Sequence, residues 1–327
     1  MSVIFMVNNI QAILKKSLPH CLQATHFTIG KRYQGKVRDC YEQEHQLLMV
    51  ATDRLSAFDR VLCAVPFKGQ VLTLLSAWWY EKTRSMVPNA LLNIPHPNVM
   101  VMKKCKVFPI EFVLRAYMTG STDTSLYAEY QRGVRQVDGC VLEEGLKKNA
   151  KLPHHLLTPT TKSDKHDESI TLDEIIERSL MTKAELEEVS NKARALFDFG
   201  VWHAKQKGLI LVDTKYEFGR DEAGNIVLVD EVHTPDSSRY WLADNYMARF
   251  DAGIEPESFD KEILRLWMKA QVDPYKNETL PSIPDDIILQ LAARYIELYE
   301  RLTEKAFPLN DNIENDAQIE HVLQLIK

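Results

Sequence analysis

Two common nucleotide-binding signatures are missing from this sequence. No G-x-G-x-x-G follows an apolar run and no G-x-x-x-x-G-K-[ST] occurs, so neither a Rossmann crevice nor a P-loop is expected. Cysteine is scarce: Cys21, Cys40, Cys63, Cys105 and Cys140 are widely spaced and form no CxxC pair. That argues against a disulfide framework or a zinc site and fits a reducing compartment. Long apolar runs are absent too. Near the start, Val3 to Val7 is a run of only five residues, too short for a signal-peptide core or a membrane span. A cytoplasmic protein with no membrane partner is therefore expected. Nor is there a basic excess: 40 Lys and Arg against 46 Asp and Glu give a net charge of −6. This argues against a nucleic-acid binder but leaves room for a local cationic pocket. No Ser-His-Asp or Cys-His arrangement is visible, so no covalent nucleophile is expected.

What is present reads as α+β. The chain has 327 residues, enough for two lobes. Residues 35–42 and 46–52 read as strands, the second a continuous apolar run of buried type. Residues 70–86 read as a helix, and 99–107 and 110–117 as further strands. Ser121 or Thr122 is the expected cap of a helix towards Arg132, followed by a turn-rich polar stretch from Asp138 to Ser169. Thr171 with Glu174, and Thr182 with Glu185, have the spacing of capping boxes. The second of these helices is expected to stop near Gly208. Residues 209–213 read as a strand that returns as IVLVDEV after the turn RDEAGN. Helices over 259–271 and 285–303 close the chain. Early strands, a mixed middle and late helices favour α+β over a doubly wound βαβ fold.

The most informative segment is DTKYEFGRDEAGNIVLVDEVHTPDSSR, residues 213–239. Strand alternation puts Asp213, Lys215 and Glu217 on one face and Tyr216 and Phe218 on the other. A hairpin would bring Asp230 and Glu231 back beside that charged row. Carboxylates on paired strands with a lysine among them suit a magnesium–nucleotide site, because Mg²⁺ takes one or two carboxylates plus phosphate oxygens and water. A solvated strand face with cross-strand ion pairs is the alternative. The apolar runs on either side weigh against it, since buried carboxylates want a metal or a cation. In the loop that follows, Asp236 could hold ribose hydroxyls and Arg239 could fork onto a phosphate or carboxylate.

Three further segments carry charge in useful places. In GKVRDCYE, alternation puts Lys36, Arg38 and Cys40 on one face, where the two cations could clamp a triphosphate; the alternative is a basic edge that deters aggregation. Asp53, Ser56 and Asp59 lie in a loop rich in short polar groups. In LRAYMTGS, Arg115 near a strand end with Gly120 and Ser121 suits a monophosphate. In TKSDKHDE, Lys162, Lys165 and His166 could meet phosphates over a cleft, or simply be solvated. His203 and His233 read as structural.

Taken together and in this order, GKVRD, DRLSAFD, Arg115 with TGS, TK-x-x-KHDE, DTKYEFG and DEVHTPDSSR closely resemble the phosphoribosylaminoimidazole-succinocarboxamide synthase (SAICAR synthetase) family, from about Ile29 to the C-terminal helices. The resemblance implies an ATP-dependent ligase that couples the carboxylate of carboxyaminoimidazole ribonucleotide (CAIR) to L-aspartate through an acyl phosphate. It implies ATP and Mg²⁺, small-molecule partners only, and a monomer or small homo-oligomer. It also implies a SAICAR synthase-like α+β fold related to ATP-grasp and kinase architecture. That fold would have an antiparallel-sheet nucleotide lobe over 1–118, a central α+β lobe over 119–250 with the metal and CAIR site, and a helical segment over 251–327. Carried over by motif, Glu217 and Asp230 are the expected metal ligands. Lys36 and Arg38 would lie along the ATP phosphates, and Lys215 and Asp213 beside the nucleotide. Lys162 would approach the transferring phosphoryl group. Arg115 and Ser121 are the expected contacts of the CAIR phosphate, with Asp236 and Arg239 completing that site and Asp53, Ser56 and Asp59 near the reacting groups. Ala116, where the family often carries RGY or RNY, and His233 depart from the pattern without touching the charged set.

Overall fold

The computed structural model describes residues 2–122, 124–162, 168–277, 279–309 and 316–324. In chain order the first elements are α1 (Ser2–Ser17), β1 (Lys31–Gln34), β2 (Arg38–Glu42), β3 (Gln46–Ala51), β4 (Arg54–Ala57), β5 (Arg60–Ala64), α2 (Lys68–Thr83), β6 (Leu91–His96) and β7 (Val99–Lys103). Then come β8 (Lys106–Met118), α3 (Leu126–Gln131), β9 (Gln136–Val137), β10 (Cys140–Val141), β11 (Ala150–Leu157), β12 (Thr160–Thr161), α4 (Leu172–Glu177) and α5 (Lys183–Gln206). The chain continues through β13 (Leu209–Arg220), β14 (Ile226–Leu228), β15 (Ser238–Leu242), α6 (Ala243–Asp251), α7 (Glu262–Gln271), α8 (Asp285–Thr303) and α9 (Asp316–Gln324). This is the mixed α+β arrangement the sequence implies.

Two compact units emerge: Met1–Trp78 with Leu91–Lys104 and Ile263–Lys327, and Trp79–Ala90 with Cys105–Glu262. They cut the chain differently from boundaries at 118 and 250. Residues 105–118 group with the central segment because β8 pairs with β11, β12 and β13. The late helices group with the first strands.

In the first unit the sheet order is β1-β2-β3-β7-β6. Tyr41, Leu48, Val50, Val99 and Val101 from its strands meet Phe27, Ile29 and α9 residues Ile319 and Leu323 in one buried cluster. The second unit is built on the order β11-β8-β13-β14, with β12 against β8 and β15 against β13. Helix α5 packs on β13. It starts on the expected Thr182–Glu185 capping box and buries Leu186, Val189, Ala193, Leu196, Phe197, Gly200 and Ala204, a helical stripe. The Thr171–Glu174 box also forms. Gly208, with φ of 67°, ends the run as expected.

Several expectations needed correction. Ser121 and Thr122 do not cap α3; Ser125 does, its side chain accepting from the Ala128 N–H. The polar stretch 138–169 contains β10, β11 and β12 rather than turns alone, because its backbone groups find partners on β8 and β9. The return strand is only Ile226–Leu228, so Asp230 lies just beyond it. The segment 99–107 is not one strand: β7 ends at Lys103 and β8 begins at Lys106. Helix α7 starts at Glu262, three residues later than expected. The N-terminal apolar run lies within α1. Lys165 and His166 fall outside the described residues. Among the described residues no helix is long and apolar enough to cross a membrane.

Candidate active site

Strand β13 is the axis of the site. Its neighbours set a cross-strand row: Arg115 of β8 and Arg239 of β15 both pair in register with Asp213. Between Leu211 and Asp213 the pairing with β15 slips by one residue, leaving Val212 as an extra residue on β13. Such a bulge re-aims the strand. It lets Leu211 reach towards Gly200 of α5 while Asp213 joins the charged face. Beyond it the alternation runs as expected, with Tyr216 and Phe218 fully buried.

At the Asp213 end, Arg115 Nη1 lies 3.3 Å from Asp213 Oδ2, and Arg115 Nε donates to Thr158 Oγ1 at 2.7 Å. Arg239 Nη1 donates to the same Asp213 oxygen, and its Nε lies 3.6 Å from Glu262 Oε2. Burial pulls the Arg115 guanidinium below its ordinary range, opposed by Asp213 and aided by Arg239. For Arg239 burial also pulls downward, but Asp213 and Glu262 outweigh it and stabilise the cation. The chain passes close by at Gly120, whose φ is 119°; a Cβ there would sit 2.3 Å from Ser125 Cβ and 3.3 Å from Arg239 Nη2. Only glycine fits. Ser121 follows directly. Asp236 sits in a turn tied by Thr234 Oγ1, and its Oδ2 is 3.5 Å from Lys261 Nζ.

Four residues along, Glu217 faces Glu111 of β8 in register. Lys215 Nζ lies 2.7 Å from Glu111 Oε1, 2.7 Å from Glu217 Oε1 and 3.9 Å from Asp230 Oδ2. Lys162 Nζ takes the other Glu217 oxygen. Glu217 is 5% exposed in its side chain, whereas Lys162 is 47% exposed. Burial alone would raise the Glu217 carboxyl, but Lys215 and Lys162 hold it well below the usual carboxylate range. Burial would likewise lower Lys215, yet Glu217, Glu111 and Asp230 keep it firmly charged. Glu217 and Asp230, expected together, do converge on one ammonium. Glu111 was not anticipated: its role depends on β8–β13 register, which no local pattern in IEFVLR announces.

The donor set fits a hard cation. Glu217 and Asp230 offer oxygens only, matching Mg²⁺ with phosphate and water completing its shell. Among the described residues no group of three or more His, Cys, Asp or Glu could hold a metal unaided.

The expected residues of the first unit form their own pairs. Lys36 Nζ donates to Asp59 Oδ1, both partly exposed. Arg38 is buried on β2. Next to it, Asp39 accepts from Arg54 at 2.9 Å and Arg32 at 3.2 Å. Asp53 has its oxygens committed to the N–H groups of Leu22 at 2.8 Å and Gly69 at 3.0 Å, and burial pushes its carboxyl up to about 6. It holds the first turn of α2. Ser56 is buried in β4. His233, read as structural, is buried against Trp79, Tyr216 and Gly200.

Two arginines sharing one carboxylate therefore stand on the same strand face as a lysine-bridged carboxylate cluster, an arrangement of the kind found in enzymes of phosphorylated small molecules. The family model described as SAICAR synthetase matches residues 31–282. The phosphoribosylaminoimidazole-succinocarboxamide synthase of Legionella pneumophila (strain Paris) is 54% identical over 308 residues, spanning 92% of this chain and 99% of the relative. A chloroplastic enzyme of the same name from Arabidopsis thaliana is 54% identical over 295 residues, 89% of this chain and 72% of the relative. A solved SAICAR synthase from Saccharomyces cerevisiae, complexed with SAICAR, superposes with a TM-score of 0.75 at 34% identity, covering 88% of this chain and 99% of that one. The chain belongs to the SAICAR synthetase family.

Proposed function

We propose that the two ends of the β13 charged row divide the family's reaction between them. That reaction couples the carboxylate of CAIR to the amine of L-aspartate and cleaves ATP to ADP and phosphate, giving SAICAR in purine biosynthesis. A carboxylate is a poor electrophile because its leaving group would be oxide. Attack of a carboxylate oxygen on the γ-phosphorus releases ADP and leaves an acyl phosphate; attack of the aspartate nitrogen on the acyl carbon then releases phosphate, and the nitrogen loses its proton. Such transfers rest on positioning and charge neutralisation rather than covalent help.

Glu217 and Asp230 would hold Mg²⁺, which when bound neutralises phosphate charge and orients the transferring group. Lys162, half exposed and ion-paired to Glu217, is the candidate to follow the terminal phosphoryl group; Lys215 flanks the nucleotide, and Asp213, two residues before it, links that end of the row to Arg115 and Arg239. Lys36 and Arg38 attend its phosphates. Arg115, Ser121 and Arg239 take the CAIR phosphate, with Asp236 on its ribose and Asp53, Ser56 and Asp59 nearer the reacting groups. Asp53 also accepts from the Leu22 and Gly69 N–H groups. The proposed compartment is the cytoplasm, in line with five free cysteines.

The observation carrying this reading is the convergence of Glu217 and Asp230 on Lys215, beside Lys162. The test is to incubate the protein with ATP, Mg²⁺, CAIR and L-aspartate, omitting each in turn. ADP release only from the full mixture is expected; release with an alcohol acceptor instead would make it a kinase, and none at all a binding module.

A further inference from the structure

The turn that carries Gly120 and Ser121 is held from outside. Asn149 is buried and left-handed, with φ of 67°, a conformation asparagine tolerates better than most residues. All its polar groups are engaged. Its Oδ1 accepts from Thr119 Oγ1 at 2.6 Å, and its Nδ2 donates to Glu255 Oε2 at 2.9 Å. Its N–H donates to the Met118 carbonyl at 2.6 Å, and its carbonyl accepts from the Tyr246 hydroxyl at 2.8 Å. Lys148 holds the other Glu255 oxygen. Thr119, itself buried, is the residue from which the chain leaves β8 for Gly120. At Gly120 there is no room for slack, since the backbone fits between Ser125 and Arg239 only without a Cβ. A shift of Thr119 would therefore pass directly into the spacing between the Gly120–Ser121 backbone and the Arg239 guanidinium.

We propose that Asn149 is a positioning residue for the phosphate-bearing substrate, acting through Thr119 to fix the Gly120–Ser121 turn against Arg239. This rests on the CAIR-phosphate assignment above. A clamp with only a stabilising role would lower thermal stability and leave substrate affinity alone, which makes the two separable.

Asn149→Gly keeps the left-handed backbone and removes the clamp. It is expected to raise KM for CAIR by about tenfold, since small misplacements of binding groups are expensive. Its kcat and KM for ATP should stay within about twofold. Thr119→Val, which removes only the hydroxyl, should raise KM for CAIR in the same way, and Thr119→Ser should restore it. The double variant Asn149→Gly/Thr119→Val should be no worse than the poorer single, because both remove the Thr119–Asn149 hydrogen bond. An unchanged KM for CAIR in Asn149→Gly overturns the inference, whatever its melting temperature. If Asn149→Gly does not fold, the Thr119→Val and Thr119→Ser pair decides by the same criterion. Arg115→Ala run alongside tells the two failures apart. A raised KM there with an unchanged KM in Asn149→Gly overturns this inference alone. An unchanged KM in Arg115→Ala overturns the phosphate assignment, and this inference with it.

Discussion

The two faces of β13 are made from the same twelve residues and do opposite work. One carries Asp213, Lys215 and Glu217 among arginines, lysines and carboxylates. The other carries Tyr216 and Phe218 into the core, where Tyr216 meets His233 and Phe218 meets Phe112 edge-on. The charged face places ions that oppose and hold one another; the apolar face supplies the burial that keeps such a costly row in place. Buried ion pairs contribute little net stability. Removing one partner strands the other, but Lys215 and Lys162 are partly exposed and can be rehydrated, so isosteric changes of Glu217 should alter kinetics more than stability, and changes on the second face the reverse.

The largest effect expected on the charged face is from Glu217→Gln or Asp230→Asn. Each should cut kcat by about 10²-fold or more, measured as ADP release at saturating substrates, with the fold retained. Near wild-type turnover would remove the metal assignment. Glu111→Gln sharpens the same point. It keeps the shape but loses the charge beside Lys215, and a smaller fall in kcat than in Glu217→Gln is expected. Arg115→Ala should raise KM for CAIR by about 10-fold or more with a smaller change in kcat.

On the apolar face, Gly200→Ala tests packing. The added Cβ would lie 2.3 Å from His233 Cε1 and 2.8 Å from Leu211 Cδ2. A loss of about 1–3 kcal/mol in denaturant unfolding is expected, with KM values unchanged. His233 itself gives a pH signature. Burial lowers its pKa from 6.5 to about 3, so the unfolded chain binds the proton that the folded one refuses. Its contribution is complete above pH 6.5 and is lost as pH falls towards 3. Asp260, pushed by burial and then by Glu262 to about 6, works the other way, favouring the folded state as pH falls below 6. His233→Gln should flatten the acid slope of unfolding free energy, and a slope unchanged from wild type would count against the buried neutral ring. Smallest, Thr182→Ala at the far end of α5 should cost about 1 kcal/mol by the same unfolding assay and leave kinetics alone.

Much of the charged face was legible because a strand's period is two: DTKYEFG names its own faces. The capping boxes at Thr171 and Thr182 were legible because their partners lie three residues away. What could not be read depends on distant partners. Ser125, not Ser121, caps α3, because the chain must first pass Gly120 in a positive-φ turn. Strands β11 and β12 hide in a polar stretch because β8 supplies their ladder. Glu111 and Asn149 matter only through contacts at sequence separations of 104 and 30. That the Asp53 carboxylate ties Leu22 to Gly69 depends on partners 31 and 16 residues away.

Val212 makes the phase of the whole row a matter of counting. With one residue more than β15 opposite it, β13 turns Leu211 inward and Asp213 outward. Side-chain changes between Leu209 and Asp213 leave that parity alone. Deleting Val212 would remove the extra residue and leave Leu211 and Asp213 as strand neighbours that already point to opposite faces, so Lys215 and Glu217 would keep the charged face. Homologous chains should therefore be able to lose the extra residue and keep the row, provided Asp213 stays opposite Arg115 and Arg239.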